Sequence, residues 1–400
     1  MTDVRNVRPA DLQSPHPIYC VWEITLACDL ACRHCGSRAG RARRDELSTA
    51  EALDLVDQLA EIGVREVALI GGEAYLRPDW DVIAAAIVAR GMRCEMVSGG
   101  RGLDDERVGR AASAGMHGIS VSIDGLQATH DRLRAVPGSF QAALAALQRI
   151  RAAGMRPLSN TQINRLSAPE LEAIARLLVE QGVVGWQIQF TVAMGRAADR
   201  AEILVQPWEL LEIFPRLVAI RQQILDPARV HLFPANNVGY FGPYESELRS
   251  GGREGRHWTG CPAGTWAIGI EADGAIKGCP SLPSVGYTGG HIRERRLADI
   301  VRQTPELTHL GQRGRDDLWG HCGTCYYADV CKGGCSWTAH SLLGRPGNNP
   351  ICIHRAMQLR RQGRRERLVQ VQRAPGQPFD VGRFELIEEP WPTDSGGIAP

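Results

Sequence analysis

Six stretches of β-type sequence alternate with amphipathic helical stretches over the first 228 residues, and this alternation limits the fold more than any other feature. Strands are expected at 20–26 (CVWEITL), 66–70 (EVALI), 94–98 (CEMVS), 118–124 (GISVSID), 157–163 (PLSNTQI) and 185–191 (GWQIQFT). The helices between them have readable ends. Ser48 and Glu51 have capping-box spacing. Ala52, Leu55, Val56, Leu59 and Ile62 then share one face, and Gly63 stops the helix. Ser167 and Glu170 repeat the box before 171–181, with Gly182 as the stop; a sixth helix is expected over 208–225. Strand–helix units in series call for a parallel sheet covered by helices. Crossovers of one hand curl such a sheet. The expected fold class is therefore α/β: a partial (βα)6 TIM-like barrel, followed by a small irregular domain.

The pattern breaks at about residue 229, where Gly, Pro, Asn and Cys become frequent, and residues 261–352 hold seven cysteines. The expected organisation is an N-terminal extension (1–19), the barrel (20–228), a bridging segment (229–260), a cysteine-rich domain (261–354) and a C-terminal helix and tail (355–400), the helix itself running over 355–368. Only 19 residues precede Cys20, too few for a winged-helix module. Forty-six basic residues balance 45 acidic ones, so nothing asks for nucleic acid or an anionic membrane as partner. The N-terminus lacks the apolar core of a signal peptide. The longest apolar run, 82–89, falls far short of a membrane span. A cytoplasmic location is expected, and there clustered cysteines serve as metal ligands rather than disulfides.

Cys28, Cys32 and Cys35 lie on the loop leaving the first strand, at the barrel rim where βα enzymes place their chemistry. A closed zinc site or four-iron cluster wants four ligands; three leave one position open. The alternative at this spacing is a structural zinc knuckle. CxxxCxxC here, with Gly71-Gly72-Glu73 after the second strand, resembles the radical S-adenosylmethionine (SAM) enzymes. That resemblance implies a [4Fe-4S] cluster whose open iron chelates SAM, reductive cleavage to a 5′-deoxyadenosyl radical, and removal of a substrate hydrogen. It also implies roles for particular residues. Glu73 would accept the methionine ammonium, and Gly71 and Gly72 would let the backbone come close. Ser122 and Asp124 would face the ribose, and His34 would lie near the adenine. Ser98 opens a glycine-rich rim loop. Gln187 and Gln189, two apart on a strand, share one face. For Ser98 and the two glutamines, local hydrogen bonding is the alternative. Ala74 departs from the proline usual after Gly-Gly-Glu.

The later cysteines resemble the SPASM domain, which carries auxiliary iron–sulfur clusters. By that resemblance Cys322, Cys325, Cys331 and Cys352 hold an outer [4Fe-4S] cluster. Cys261, Cys279 and Cys335 hold an inner one that lacks a fourth thiolate, the vacancy being left to water, a side chain or substrate. Three clusters and SAM are then the cofactors. Gly278, Pro280 and Ser281 flank Cys279, so no proton-accepting carboxylate is offered there. Cys20 and Cys94 remain as buried apolar residues. Tyr240 and Tyr244 line a channel or cover a core edge; Arg41, Arg43 and Arg44 meet an acidic peptide or form a solvated face, as does the basic helix. The resemblance implies a ribosomally made precursor peptide as substrate, oxidised to a thioether or carbon–carbon crosslink. It also implies an electron donor such as flavodoxin or ferredoxin and room for a separate leader-binding protein. Epimerisation, a small-molecule radical oxidase acting on an alcohol or tetrapyrrole, and a zinc-binding scaffold are the alternatives.

Overall fold

The computed structural model describes residues 5–240, 242–250 and 257–392. Parts of the expected N-terminal extension, bridging segment and C-terminal tail therefore lie outside the described residues. The six expected strands are β1 (Tyr19–Thr25), β2 (Glu66–Gly71), β3 (Arg93–Ser98), β4 (Gly118–Ser122), β5 (Arg156–Ile163) and β6 (Gly185–Phe190). They pair in parallel and in chain order. Side chains alternate across a strand. Trp22, Ile24, Leu69, Met96, Val121 and Ile188 point outward and are buried beneath the helices. The inward positions hold Glu23, Ser122, Asn160, Gln162, Gln187 and Gln189. Small and polar interior residues leave the barrel hollow, where a closed TIM barrel is filled by branched apolar side chains.

The parallel pattern continues past residue 228. β7 (His231–Pro234) pairs in parallel with β6. Four residues ending in proline are too few to show alternation in sequence. β8 (Ala267–Ile270) adds to the other edge of β1, Tyr19 opposite Ala267, and β9 (Ala275–Lys277) and β10 (Thr288–His291) continue antiparallel. The cysteine-rich region and the barrel therefore share one ten-stranded sheet.

The Ser48 capping box is formed: Ser48 Oγ accepts from Glu51 N–H, and Glu51 Oε2 accepts from Ser48 N–H at 2.8 Å. Gly63 follows at φ +87°, the left-handed conformation glycine favours. The second box is not formed. Ser167 Oγ accepts from Asn164 N–H at 2.9 Å, and Glu170 accepts from Leu126 N–H and the Thr129 hydroxyl. Ser167 is taken up by the turn before it, and Glu170 by partners some forty residues away, so the cap does not form.

The basic helix expected over 355–368 spans Ile353–Arg361, and residues from Arg364 onward turn into β11 (Arg364–Gln372), which pairs with β12 (Arg383–Pro390). Cross-strand ion pairs of Arg365 and Arg367 with Glu389 stabilise the hairpin. Arg355 is not solvated; it forms a buried bidentate pair with Glu366 and donates to Asn348 Oδ1 at 2.8 Å. Among the described residues no helix is long and apolar enough to cross a membrane.

Candidate active site

The loop leaving β1 brings Cys28, Cys32 and Cys35 to the wall of one cavity of about 670 Å³, a volume typical of small-molecule sites. Later segments fix the loop. Arg196 donates from Nε to Cys32 O at 2.7 Å and from its backbone N–H to Cys35 O at 2.9 Å. Leu30 N–H points at Cys28 Sγ at 3.4 Å, and Arg134 Nη1 donates to Cys32 Sγ at 3.7 Å. A Cβ on Gly72 would sit 2.1 Å from Ala27 O and 2.7 Å from Cys28 Cβ, so the close approach of the two loops requires glycine there. Burial pushes the thiol of Cys28 up to about 12, Glu73 and the other thiols adding to it; Cys32 is pushed up to about 11 by burial despite Arg134. Two buried thiols that resist ionisation alone, Cys28 and Cys32, are matched by a cationic metal group, which binds cysteines as thiolates.

Glu73 is buried on the same wall. Its carboxylate accepts from Ser98 Oγ at 2.6 Å and from Gly99 N–H at 2.7 Å. Burial raises it to about 7. A buried carboxylate beside three thiols suits an ammonium ligand. Ser98 is thus its hydrogen-bond donor rather than a free contact. Ser122 lines the cavity, paired with Asn160. Gln187 and Gln189 also line it, and among the described residues their amides make no hydrogen bond.

Asp124 stands apart from these. It is fully buried and does not line the cavity, and its oxygens are engaged by Arg134, by His34 Nε2 at 3.0 Å and by Gln162 N–H at 2.8 Å. Burial opposes its ionisation, but Arg134 and His34 hold it far below the usual carboxylate range. Its place is that of a hub orienting Arg134 and His34, instead of the ribose-facing position expected. His34 is buried against it and touches the cavity wall.

The later thiols fall into two neighbourhoods. Burial raises Cys331, and Cys352, Cys322 and Cys325 raise it further; burial, then Cys261 and Cys335, push Cys279 up to about 12. The resemblance to the SPASM domain implies ligand sets of four and three among these same residues. Cys261 and Cys279 pack with Tyr287 and Trp337 around Ala263, Leu282 and Leu310. Pro262, Pro280, Ser281 and Trp337, neighbours of the three inner cysteines in sequence, line the same cavity as Cys28, Cys32 and Cys35. Trp337 Nε1 points at Met194 Sδ at 3.2 Å.

Cys20 and Cys94 are wholly buried in strands. Tyr240 stacks on Tyr327 and Tyr244 on Phe214, so both cover core edges. Arg41 and Arg44 are exposed, whereas Arg43 turns inward to Glu23 and Glu271. The sequence offered no signal for Arg134, Arg196, Glu23 or Phe379, whose partners come from distant segments. A pairing of Glu23 with Arg43 was the one within reach, since both flank the cysteine loop.

A curled parallel sheet with a thiol trio, a buried carboxylate and a polar cavity at its C-terminal rim defines a barrel enzyme built around a thiolate-held metal group. The radical SAM superfamily model matches residues 22–183. An AdoMet-dependent heme synthase of Methanosarcina barkeri is 30% identical over 350 residues, covering 85% of this chain and 97% of that protein. The mycofactocin maturase MftC of Mycobacterium ulcerans is 29% identical over 344 residues, covering 84% and 88%. The structure of Streptococcus suis SuiB bound to precursor peptide SuiA matches with a TM-score of 0.69 at 17% identity, covering 85% of this chain and 77% of SuiB. The chain belongs to the radical SAM superfamily and is an enzyme that uses SAM, with the [4Fe-4S] cluster that family membership implies.

Proposed function

We propose that this enzyme oxidatively modifies a ribosomally made peptide, forming a thioether or carbon–carbon crosslink. The observation that carries this reading is the chemistry of the cavity wall. Its three guanidiniums are committed: Arg5 to Glu66 and Glu95, Arg134 to Asp124, and Arg196 to the carbonyls of Cys32 and Ala39. Among the described residues the amides of Gln162, Gln187, Gln189 and Asn236 on this wall make no hydrogen bond and can pair with peptide N–H and C=O groups. The names of MftC and of the SuiB–SuiA complex support the same reading. A second reading, a tetrapyrrole substrate, is favoured by the heme synthase relative. A tetrapyrrole with several carboxylate arms would find no uncommitted cation on this wall among the described residues.

In this proposal Cys28, Cys32 and Cys35 hold the first cluster, and Glu73, set by Ser98 and Gly99, takes the SAM ammonium. Gly71 and Gly72 allow the close approach, Ser122 meets the ribose, and His34 is oriented by Asp124. Cys322, Cys325, Cys331 and Cys352 hold an outer auxiliary cluster and Cys261, Cys279 and Cys335 an inner one, the SPASM arrangement. When bound, the first cluster supplies the electron that splits SAM and so the radical that takes a substrate hydrogen. Gln187 and Gln189 orient the peptide, and Trp337 and the prolines beside the inner cysteines close the far wall. A flavodoxin or ferredoxin donates electrons, a separate protein presents the leader, and the reaction runs in the cytoplasm. The test is anaerobic turnover with SAM, a reductant and the peptide encoded beside the gene, against an iron porphyrin. Peptide-dependent 5′-deoxyadenosine and a peptide lighter by two hydrogens are expected. Turnover with the porphyrin alone would replace this reading with the second.

A further inference from the structure

Three carboxylates line the cavity: Glu23, Glu73 and Glu95. Glu73 is engaged by Ser98 and Gly99 beside Cys28, and Glu95 faces Arg5 at 3.5 Å on the N-terminal side of the barrel. Glu23, on β1, has a side chain only 5% exposed. Arg43 donates to its Oε1 from Nε at 3.2 Å and from Nη2 at 3.0 Å, while Oε2 takes no hydrogen bond among the described residues.

The charges around Glu23 come from three segments. Arg43 extends from the cysteine loop and also meets Glu271 at 3.3 Å and Asp273 at 3.9 Å. Lys277 of β9 is wholly buried, bound to Glu271 at 2.6 Å and to Leu282 O at 2.6 Å, with its ammonium 4.5 Å from the Phe379 ring centroid. Glu23, Glu271 and Asp273 thus share Arg43, while Lys277 is bound to Glu271 and Arg293 also acts on Asp273. Burial opposes ionisation of Glu271, yet Lys277 and the Ser284 hydroxyl hold it low. Burial raises Glu23 to about 7, Arg43 countering only part of this and Glu271 adding to it. Buried in the cavity wall, with a shared Arg43 on Oε1 and no hydrogen bond on Oε2 among the described residues, Glu23 is poised to exchange a proton near neutral pH. Glu23 also lies on the strand leading to Cys28, next to the strand pair leading to Cys279, and faces the cavity lined by Cys28, Cys32 and Cys35 and by Pro280 and Ser281 beside Cys279.

We propose that Glu23 is the catalytic base of the oxidative half-reaction. This rests on the oxidative reading above. The first hydrogen leaves the substrate as an atom and ends on 5′-deoxyadenosine. As the substrate radical forms its new bond, a second hydrogen leaves as a proton to the Glu23 carboxylate. The remaining electron passes to an auxiliary iron–sulfur cluster, which is reduced by one.

The experiment uses the fully loaded enzyme, peptide deuterated at the abstracted position, and the variants Glu23→Gln and Glu23→Asp. Glu23→Gln is expected to keep deuterium transfer to 5′-deoxyadenosine while crosslinked product falls about a hundredfold or more. Glu23→Asp is expected to restore part of the product. In the wild type, product formation should fall about tenfold per pH unit below 7 while deuterium transfer does not. A readout independent of turnover is the infrared carboxylic-acid band of the resting protein. The wild-type spectrum minus that of Glu23→Gln should hold a band titrating near pH 7, beyond the Glu73 band that both proteins keep. Product at the wild-type rate in Glu23→Gln, loss of both half-reactions together, or absence of the titrating band from that difference would overturn the assignment. No deuterium transfer in the wild type would instead overturn the peptide reading.

Discussion

Arg134 ties the carboxylate that the sequence reading placed at the ribose to a thiol that it placed at the metal. With Arg134→Met, Asp124 would stay buried with His34 and the Gln162 N–H as its remaining partners. Breaking a buried pair from one side costs about 3–5 kcal/mol, so the melting temperature should drop by many degrees in calorimetry. Glu73→Gln removes the anionic acceptor while keeping the shape. SAM binding to the reconstituted protein should weaken about tenfold to a hundredfold, the worth of a charged hydrogen bond of about 1.5–3 kcal/mol, with folding retained by circular dichroism. Glu23 makes a third prediction, with its sign fixed by linkage. Its folded-state value of about 7 lies above the unfolded value of about 4.3. The folded state therefore binds more protons between those limits, and stability falls as pH rises through that window. The loss of melting temperature between pH 5 and pH 8 should be smaller in Glu23→Gln than in the wild type.

At the scale of elements, the hairpin of β11 and β12 was hidden because Arg-rich sequence with helical propensity carries its strand signal only in the partner eighteen or more residues away. Its tip reaches the active site. Asp380 O accepts from Gly195 N–H at 2.8 Å, Asp380 Oδ1 accepts from Arg38 Nε at 2.8 Å, and Phe379 lines the cavity. Phe379 holds φ +57°, which a bulky residue adopts only when its surroundings require it. Asp380→Ala removes the tie to Arg38 and the acceptor for the Gln377 N–H. Hydrogen exchange at 373–382 should accelerate while the melting temperature barely moves, since the loop lies outside the main core. The helices were easier to read. Ser48 and Gly63 act within one turn of the helix they bound, whereas Ser167 closes the turn to Asn164 and Gln162, and Glu170 is drawn off to Leu126 and Thr129.

Across the whole molecule, the sheet joins what the sequence divided. Pairing of β8 with β1 makes the cysteine-rich region the neighbour of the first thiol loop, so residues beside Cys261, Cys279 and Cys335 meet the cavity that Cys28, Cys32 and Cys35 line. The anaerobically reconstituted wild type is expected to carry about twelve irons, four per cluster. Cys331→Ala should lower the count to about eight by iron assay while SAM cleavage without substrate persists, because Cys331 belongs to the neighbourhood farthest along the chain from Cys28. The sequence by itself determined the alternating strands and helices and the three-and-seven division of the cysteines, since periodicity and ligand spacing are local properties. Only the tertiary structure decided that Glu23, Arg43, Glu271 and Lys277 share one buried charge balance and that Asp124 serves Arg134. Those encounters join residues up to some 250 positions apart. Their energies depend on burial and on a neighbour's charge, which no local pattern encodes.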